Sequence, residues 1–80
     1  MTQLIELICG VLNIPVDTLT HQSGPETTQE WDSLAHISIV AAIEQTYNVQ
    51  LTMPEILSVK TIADFKVILE NHGVKFSDLL

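Results

Sequence analysis

The sequence predicts an all-α fold: a small four-helix bundle with three longer helices, one short helix and a long loop after the first helix. Apolar residues recur at steps of three and four along three stretches of the chain, which is the spacing of helices that bury one face. Alternating strand patterns are absent apart from a weak hint at residues 49–51. With 80 residues, 46% of them hydrophobic, the chain can form a single domain over residues 1–80.

The first helix is predicted over residues 2–13, and Pro15 ends it because the residue before a proline is disfavoured in helical geometry. The only cysteine, Cys9, shares the apolar face of this helix and is expected to be a small core residue. A single cysteine also excludes an internal disulfide. The apolar positions of the helix are Leu4, Ile5, Ile8, Cys9, Val11 and Leu12.

Residues 15–31 are predicted to form a long loop, because they hold Gly24, two prolines and many Ser, Thr and Gln residues with weak periodicity. A turn of helix is expected near Val16–Leu19. Long loops in compact domains tend to be functional or disordered. We expect Leu19 and Trp31 to anchor this loop to the core.

The second long helix is predicted over residues 33–47, with Asp32 as its N-cap and Asn48 as its C-cap. An apolar stripe at steps of three and four is expected to be buried along it. So broad an apolar face is typical of a central helix packed on several sides. The stripe consists of Leu34, Ile37, Val40, Ile43 and Tyr47, and Ile39, Ala41 and Ala42 widen it.

A short helix is predicted over residues 54–58, where Pro54 suits the first turn. The last helix is predicted over residues 61–72, because Thr61 followed by Asp64 makes a capping pattern. The apolar residues at helical spacing should turn toward the core. They are Ile62, Phe65, Ile68 and Leu69.

The end of the chain follows Gly73, which is a natural C-cap for the last helix. Residues 74–80 are expected either to form a frayed tail or to fold back through Phe76 and Leu79.

Charge is distributed unevenly along the chain. The formal net charge is −7, and residues 1–59 contain no Lys or Arg. Phosphate binding needs basic side chains, so this surface is expected to bind neither nucleic acid nor anionic lipid. An acidic surface attracts basic partner proteins, although acidity also serves solubility alone.

Targeting and metal signals are weak. No stretch approaches the roughly 18 apolar residues of a membrane span, and the N-terminus lacks the basic region of a signal peptide. We therefore expect a cytoplasmic protein. His21 and His72 are isolated in the sequence, so no metal site is predicted.

Residues 30–37, Glu-Trp-Asp-Ser-Leu-Ala-His-Ile, are the most distinctive tract of the sequence. They place Ser33 in the first turn of a helix, directly after an acid and at the end of a long loop. The free N–H groups and the dipole of a helix N-terminus favour a phosphate ester. Ser33 is therefore a candidate modification site, and the alternative is a serine that merely suits the turn.

Residues 30–72 resemble the acyl carrier proteins and the related peptidyl carrier domains. Asp-Ser-Leu at residues 32–34 matches the modification motif of that family. The apolar spacing of the second helix and the Thr61-Ile62 start of the last helix also match. The first helix and the long loop agree in length and place, so the resemblance covers nearly the whole chain.

The resemblance implies that a phosphopantetheinyl transferase moves 4′-phosphopantetheine from coenzyme A onto Ser33. The thiol of the arm would then carry an acyl or aminoacyl group as a thioester, in a stand-alone carrier that is not an enzyme. By the same resemblance, Ile56 and Ile62 would contact the arm or its cargo. Residues that would recognise the transferase or other partners are Asp32, Leu34, Ala35, His36, Ser38, Glu44 and Ile56.

The second helix departs from carriers of housekeeping fatty acid synthesis, which typically show acids along its exposed face. Ala35 and Ser38 occupy such positions here, and Glu44 comes only further on. The Trp31 lead-in and His36 look more like carriers of specialised pathways. We expect a loading enzyme and downstream enzymes of a dedicated pathway, with basic docking patches but much apolar contact.

Two other functions stay open. The chain could be an unmodified acidic adaptor that binds a basic partner, or a small hydrolase with Ser33 as nucleophile and His36 as base. The hydrolase is disfavoured because no acid is placed to orient His36 and no Gly-x-Ser-x-Gly elbow is present. We expect His36 to be exposed beside the arm, and the protein to be a monomer.

Overall fold

The computed structural model describes residues 2–76, and these residues form four α-helices and one 3-10 turn, with no strand among them. The all-α prediction is confirmed, and every predicted helix end lies within one residue of the observed end. The elements are α1 (Thr2–Leu12), the 3-10 turn (Val16–Thr18), α2 (Ser33–Tyr47), α3 (Met53–Ser58) and α4 (Ile62–Asn71). None of the described helices has the length and apolarity needed to cross a membrane.

The core lies between α1, α2 and α4, which each contribute fully buried side chains. Cys9 is one of them, as predicted. Burial, and secondarily the negative charge of Asp17, raises the pKa of its thiol above the ordinary value, which suits a packing role. The fully buried core residues are Leu4, Ile8, Cys9, Ile39, Ile43, Ile62, Phe65 and Leu69.

The buried stripe of α2 differs from the prediction in its first turns. Leu34 is 77% exposed and Ile37 is 55% exposed, so the prediction that both are buried is wrong. The inward position in this part of the helix belongs to His36, which is half-buried. Only the loop and the six-residue helix α3 flank the first turns of α2. The imidazole ring of His36 packs there in place of an aliphatic side chain. The stripe continues through the buried residues Ile39, Val40 and Ile43 and the half-buried Tyr47, while Ala41 is exposed.

The long loop is fixed by its backbone to the start of α4. The Ile62 N–H donates to the Ser23 carbonyl and the Ala63 N–H to the His21 carbonyl, both at 2.9 Å. These are first-turn amides, which have no acceptor within their own helix. Gly24 is buried beside this contact, and a Cβ at that position would overlap the Lys60 carbonyl.

The two predicted anchors of the loop are confirmed. Leu19 is 7% exposed and Trp31 is 2% exposed. The Trp31 indole stacks almost parallel to the Phe65 ring, with centroids 6.4 Å apart and an interplanar angle of 7°. Together with the backbone contacts, the indole fixes the end of the loop directly before α2.

The chain folds back after α4 as far as it is described. Gly73 has a φ of +93°, a region that favours glycine, and directly follows the C-cap His72. The half-buried Phe76 ring lies 5.7 Å from the Tyr47 ring, between centroids, and packs against the core. Folding back is therefore observed for residues 74–76, and Leu79 lies outside the described residues.

We expect Gly24→Ala to lower the free energy of unfolding by about 1–3 kcal/mol, the typical cost of overpacking, because the added methyl group meets a carbonyl and not a side chain that can turn away. Gly10→Ala is the matched control, since Gly10 lies in α1 with nothing within 4 Å of the added Cβ. The control should gain about 0.5–1 kcal/mol from helix propensity. Urea denaturation of both variants measures this, and equal stabilities would contradict the close approach.

Candidate functional site

Ser33 is the first residue of α2, and its side chain is exposed. Asp32 caps the helix as predicted: its Oδ1 accepts the Ala35 N–H at 2.8 Å and its carbonyl accepts the His36 N–H at 2.9 Å. The amides of Ser33 and Leu34 come first in the helix and have no acceptor within it. The geometry therefore presents a hydroxyl beside two N–H groups that can face a phosphate ester.

An open pocket of about 490 Å³ lies beside Ser33, between the end of the loop, the first turns of α2, and α3. The predicted contact residue Ile56 lines it, but Ile62 is fully buried in the core and is not among the lining residues. The lining is mostly apolar, which suits an arm or cargo with aliphatic parts. It consists of Pro25, Trp31, Asp32, Ser33, His36, Ile37, Met53, Ile56, Leu57 and Val59.

Four large apolar side chains near Ser33 form what we call the apolar rim: one directly follows Ser33 in the chain, and the other three line the pocket. They are exposed to between 55% and 77%, although the core of the same domain buries most of its large apolar residues. Exposed apolar side chains that cluster in this way mark a surface that binds a partner. The apolar rim consists of Leu34, Ile37, Met53 and Leu57.

His36 is not the exposed residue that the sequence suggested. Its ring is half-buried beside the Trp31 and Phe65 rings, with centroids 6.1 and 5.8 Å away, so the three rings form one cluster. The Trp31 indole N–H donates to His36 Nδ1 at 3.0 Å, and His36 Nε2 bonds with the Ile56 carbonyl at 2.9 Å. Both ring nitrogens are therefore engaged, and neither is free to take a proton from Ser33.

The remaining predicted recognition residues lie at different distances from the pocket. Ala35 is half-buried and Ser38 is exposed, and neither lines the pocket. Glu44 lies about three helical turns from Ser33. Its Oε2 accepts the Leu51 N–H at 2.9 Å, so this carboxylate braces the connection between α2 and α3.

α3 is held in place by a capping box that the sequence analysis did not identify. The Thr52 N–H donates to Glu55 Oε1 at 2.8 Å, and the Glu55 N–H donates to Thr52 Oγ1 at 3.3 Å. The Glu55 carboxylate also bonds with His72 Nε2 at 3.0 Å, which ties α3 to the end of α4. The pair Thr-x-x-Glu at residues 52–55 was the available signal in the sequence.

The described residues contain no group of three or more His, Cys, Asp or Glu side chains placed to hold a metal ion. The site thus offers a hydroxyl, helix N–H groups and an apolar pocket. Such a site can hold a covalently attached group and shelter part of it.

A small helical domain with an exposed serine at the start of its second helix is the architecture of a carrier domain. The family model for the phosphopantetheine attachment site matches residues 2–66 of the 80, so the chain belongs to that family. A comparison with curated proteins finds no match. The resemblance to acyl and peptidyl carriers is confirmed, and the cofactor of the family is covalently attached 4′-phosphopantetheine.

The Glu55 carboxylate should stabilise the fold in a pH-dependent way. The Thr52 N–H and, secondarily, the His72 ring lower the pKa of Glu55. A lowered folded-state pKa gives stability that is present above about pH 4.3, the value for an unfolded chain, and is lost as the pH falls through the folded pKa. Glu55→Gln should therefore lower the Tm at pH 7, and the difference from the wild type should shrink toward pH 3.

Thermal unfolding followed by circular dichroism at pH 7, 5, 4 and 3 measures this difference. Glu26→Gln is the control, because Glu26 is an exposed acid in the long loop. It removes the same charge without touching α3 or α4. A Glu55→Gln difference that persists unchanged at pH 3 would show that the charged carboxylate is not the source of the stability.

Proposed function

We propose that Ser33 carries the phosphopantetheine arm and that the chain serves a specialised biosynthetic pathway as a carrier of acyl or aminoacyl thioesters, without catalysing a reaction itself. The observation that carries the proposal is the exposed Ser33 hydroxyl at the start of α2, within Asp-Ser-Leu, in a member of the phosphopantetheine attachment site family. The arm supplies the thiol that holds the cargo. The protein holds the arm and raises the local concentration of the cargo at each partner enzyme.

The geometry around Ser33 supports a carrier better than a hydrolase. A serine nucleophile needs a base within hydrogen-bond reach, and His36 is the only nearby histidine in sequence. Its Nδ1 already accepts from Trp31 and its Nε2 faces the Ile56 carbonyl. An exposed hydroxyl without a base suits modification by another enzyme.

The surface around Ser33 supports partners that recognise apolar shape more than charge. The apolar rim lies near the hydroxyl, whereas α2 presents the small uncharged residues Ala35 and Ser38. Basic patches on a transferase, a loading enzyme or downstream enzymes would instead meet Asp32 and the loop acids Glu26 and Glu30. We further propose a monomer in the cytoplasm, where a free thiol such as that of Cys9 stays reduced.

Intact mass tests the attachment. Incubation with coenzyme A and a broad-specificity phosphopantetheinyl transferase should add about 340 Da to the wild type, as expected of a covalent modification. Ser33→Ala should abolish the gain. Ser38→Ala is the control, since it removes an exposed hydroxyl from the same helix, and it should gain the full mass.

A wild-type chain that gains no mass with a transferase active on another carrier would overturn the carrier proposal. That result would favour the unmodified adaptor that binds a basic partner. Ester hydrolysis by the unmodified chain that is lost in Ser33→Ala would instead favour the hydrolase.

The apolar rim should contribute to recognition by the transferase. Leu34→Ser should raise the KM for the carrier about tenfold, equivalent to about 1.4 kcal/mol, with kcat little changed, because Leu34 is exposed next to the hydroxyl and not part of the core. Val67→Ser is the matched control, since Val67 is an exposed apolar residue of α4 and not part of the apolar rim. Equal KM values for the two variants would contradict a role for the rim.

A further inference from the structure

His36 connects three elements around the pocket, and its hydrogen bonds define its protonation state. An indole N–H can only donate, so Nδ1 of His36 must be an unprotonated acceptor for Trp31. In a neutral imidazole the other nitrogen then carries the proton, so Nε2–H donates to the Ile56 carbonyl. The loop, α2 and α3 are thus joined by one chain of hydrogen bonds that requires the neutral ring.

Protonation of His36 would affect the two bonds differently. A charged ring carries a proton on both nitrogens, so Nδ1 becomes a donor. Two donors cannot share the 3.0 Å contact between Nδ1 and the Trp31 indole N–H, although stacking on Trp31 and Phe65 favours a cation. The bond from Nε2 to the Ile56 carbonyl survives. The proton therefore breaks the bond between Trp31 and His36 and leaves the bond between His36 and the Ile56 carbonyl.

The consequence is large because Trp31 is buried. Its side chain is 2% exposed, so an indole N–H that loses its acceptor has no water to replace it unless the side chain moves. Trp31 also forms part of the pocket wall on the loop side, together with Pro25. Movement of the indole therefore changes the pocket next to Ser33.

We propose that His36 is a positioning residue whose neutral ring latches Trp31 in the wall of the pocket beside Ser33, and that protonation of His36 releases Trp31 and opens the pocket on its loop side. We call the hydrogen bond between the Trp31 indole N–H and His36 Nδ1 the latch, and it forms in the unmodified chain. Its importance for the arm and cargo rests on the proposed function, but its existence does not.

Other charged side chains near the latch are bonded elsewhere. On the packed elements the carboxylates accept backbone amides or pair with other side chains, and the exposed Glu30 precedes Trp31 in the loop. The bonded groups are Asp32 with Ala35 on α2, Glu55 with Thr52 and His72 at α3, Asp64 with Lys60 and Thr61 at α4, and Lys66 with Glu70 on α4.

The chain has a single tryptophan, so its indole ¹H–¹⁵N signal reports on the latch alone. In a titration of the ¹⁵N-labelled unmodified protein between about pH 8 and 5, this signal should shift with the same midpoint as the His36 ring protons. Quenching of Trp31 fluorescence by acrylamide should rise severalfold over the same range, because the released side chain becomes exposed. Circular dichroism should show that the helices persist throughout.

Two variants of His36 separate its bonds. His36→Asn keeps an oxygen acceptor near the position of Nδ1 but cannot take up a proton, so its indole signal should stay near the pH 8 position across the range. His36→Gln keeps a donor that can reach Ile56 but places no acceptor at the Nδ1 position, so its signal should resemble the wild type at pH 5 throughout.

The double substitution His21→Gln with His72→Gln is the control, since it removes the two other histidines and leaves His36 as the only one. It should titrate like the wild type, and it keeps the test valid if His36→Asn fails to fold. An indole signal that does not move in the wild type, or that moves equally in folded His36→Asn, would overturn the latch. Neither outcome changes the mass test of Ser33, so either proposal can be overturned while the other stands.

Discussion

The docking of the long loop on the start of α4 is the contact on which the site depends. Two loop carbonyls accept the first amides of α4, at Ile62 and Ala63, and this pairing satisfies polar groups of both segments at once. The approach is close enough that only glycine fits at position 24. Because the loop is fixed there, Trp31 reaches the Phe65 ring, and the residues that follow begin α2 at a defined place. A loop of this length would otherwise leave Ser33 without a fixed surrounding surface.

Local signals predicted most of the fold, and tertiary contacts account for what they missed. Helical spacing, Pro15 and the cap residues act within a few positions of each other, so they placed every helix. The inward orientation of His36 was missed because a polar residue was assumed to face water, and Leu34 and Ile37 were assigned to the core in its place. The role of Gly24 was equally invisible, since its partner, Lys60, is remote in sequence.

The site also has one part made of residues adjacent in sequence and another part that only folding brings together. Ser33 and its cap Asp32 could be identified because the loop, the acid and the helix start are adjacent in the sequence. The pocket could not, because its walls come from the loop, α2 and α3, and only the packed structure brings Trp31 beside Ile56. Glu44 also has a structural role that the sequence did not show, because its carboxylate accepts the backbone N–H of Leu51, which lies beyond the end of α2.

The setting of Ser33 at the start of α2 has a consequence for how an arm attached there would behave. A phosphodiester at this position would find helix amides and the carboxylate of Asp32, but residues 1–59 supply no lysine or arginine to form an ion pair with it. Such an attachment point would leave the phosphate free to change its orientation, because no ion pair from these residues would hold it. If Ser33 carries the arm, an enzyme that supplies its own cation for the phosphate would meet no competing ion pair from residues 1–59, and the arm would be equally mobile after that enzyme dissociates.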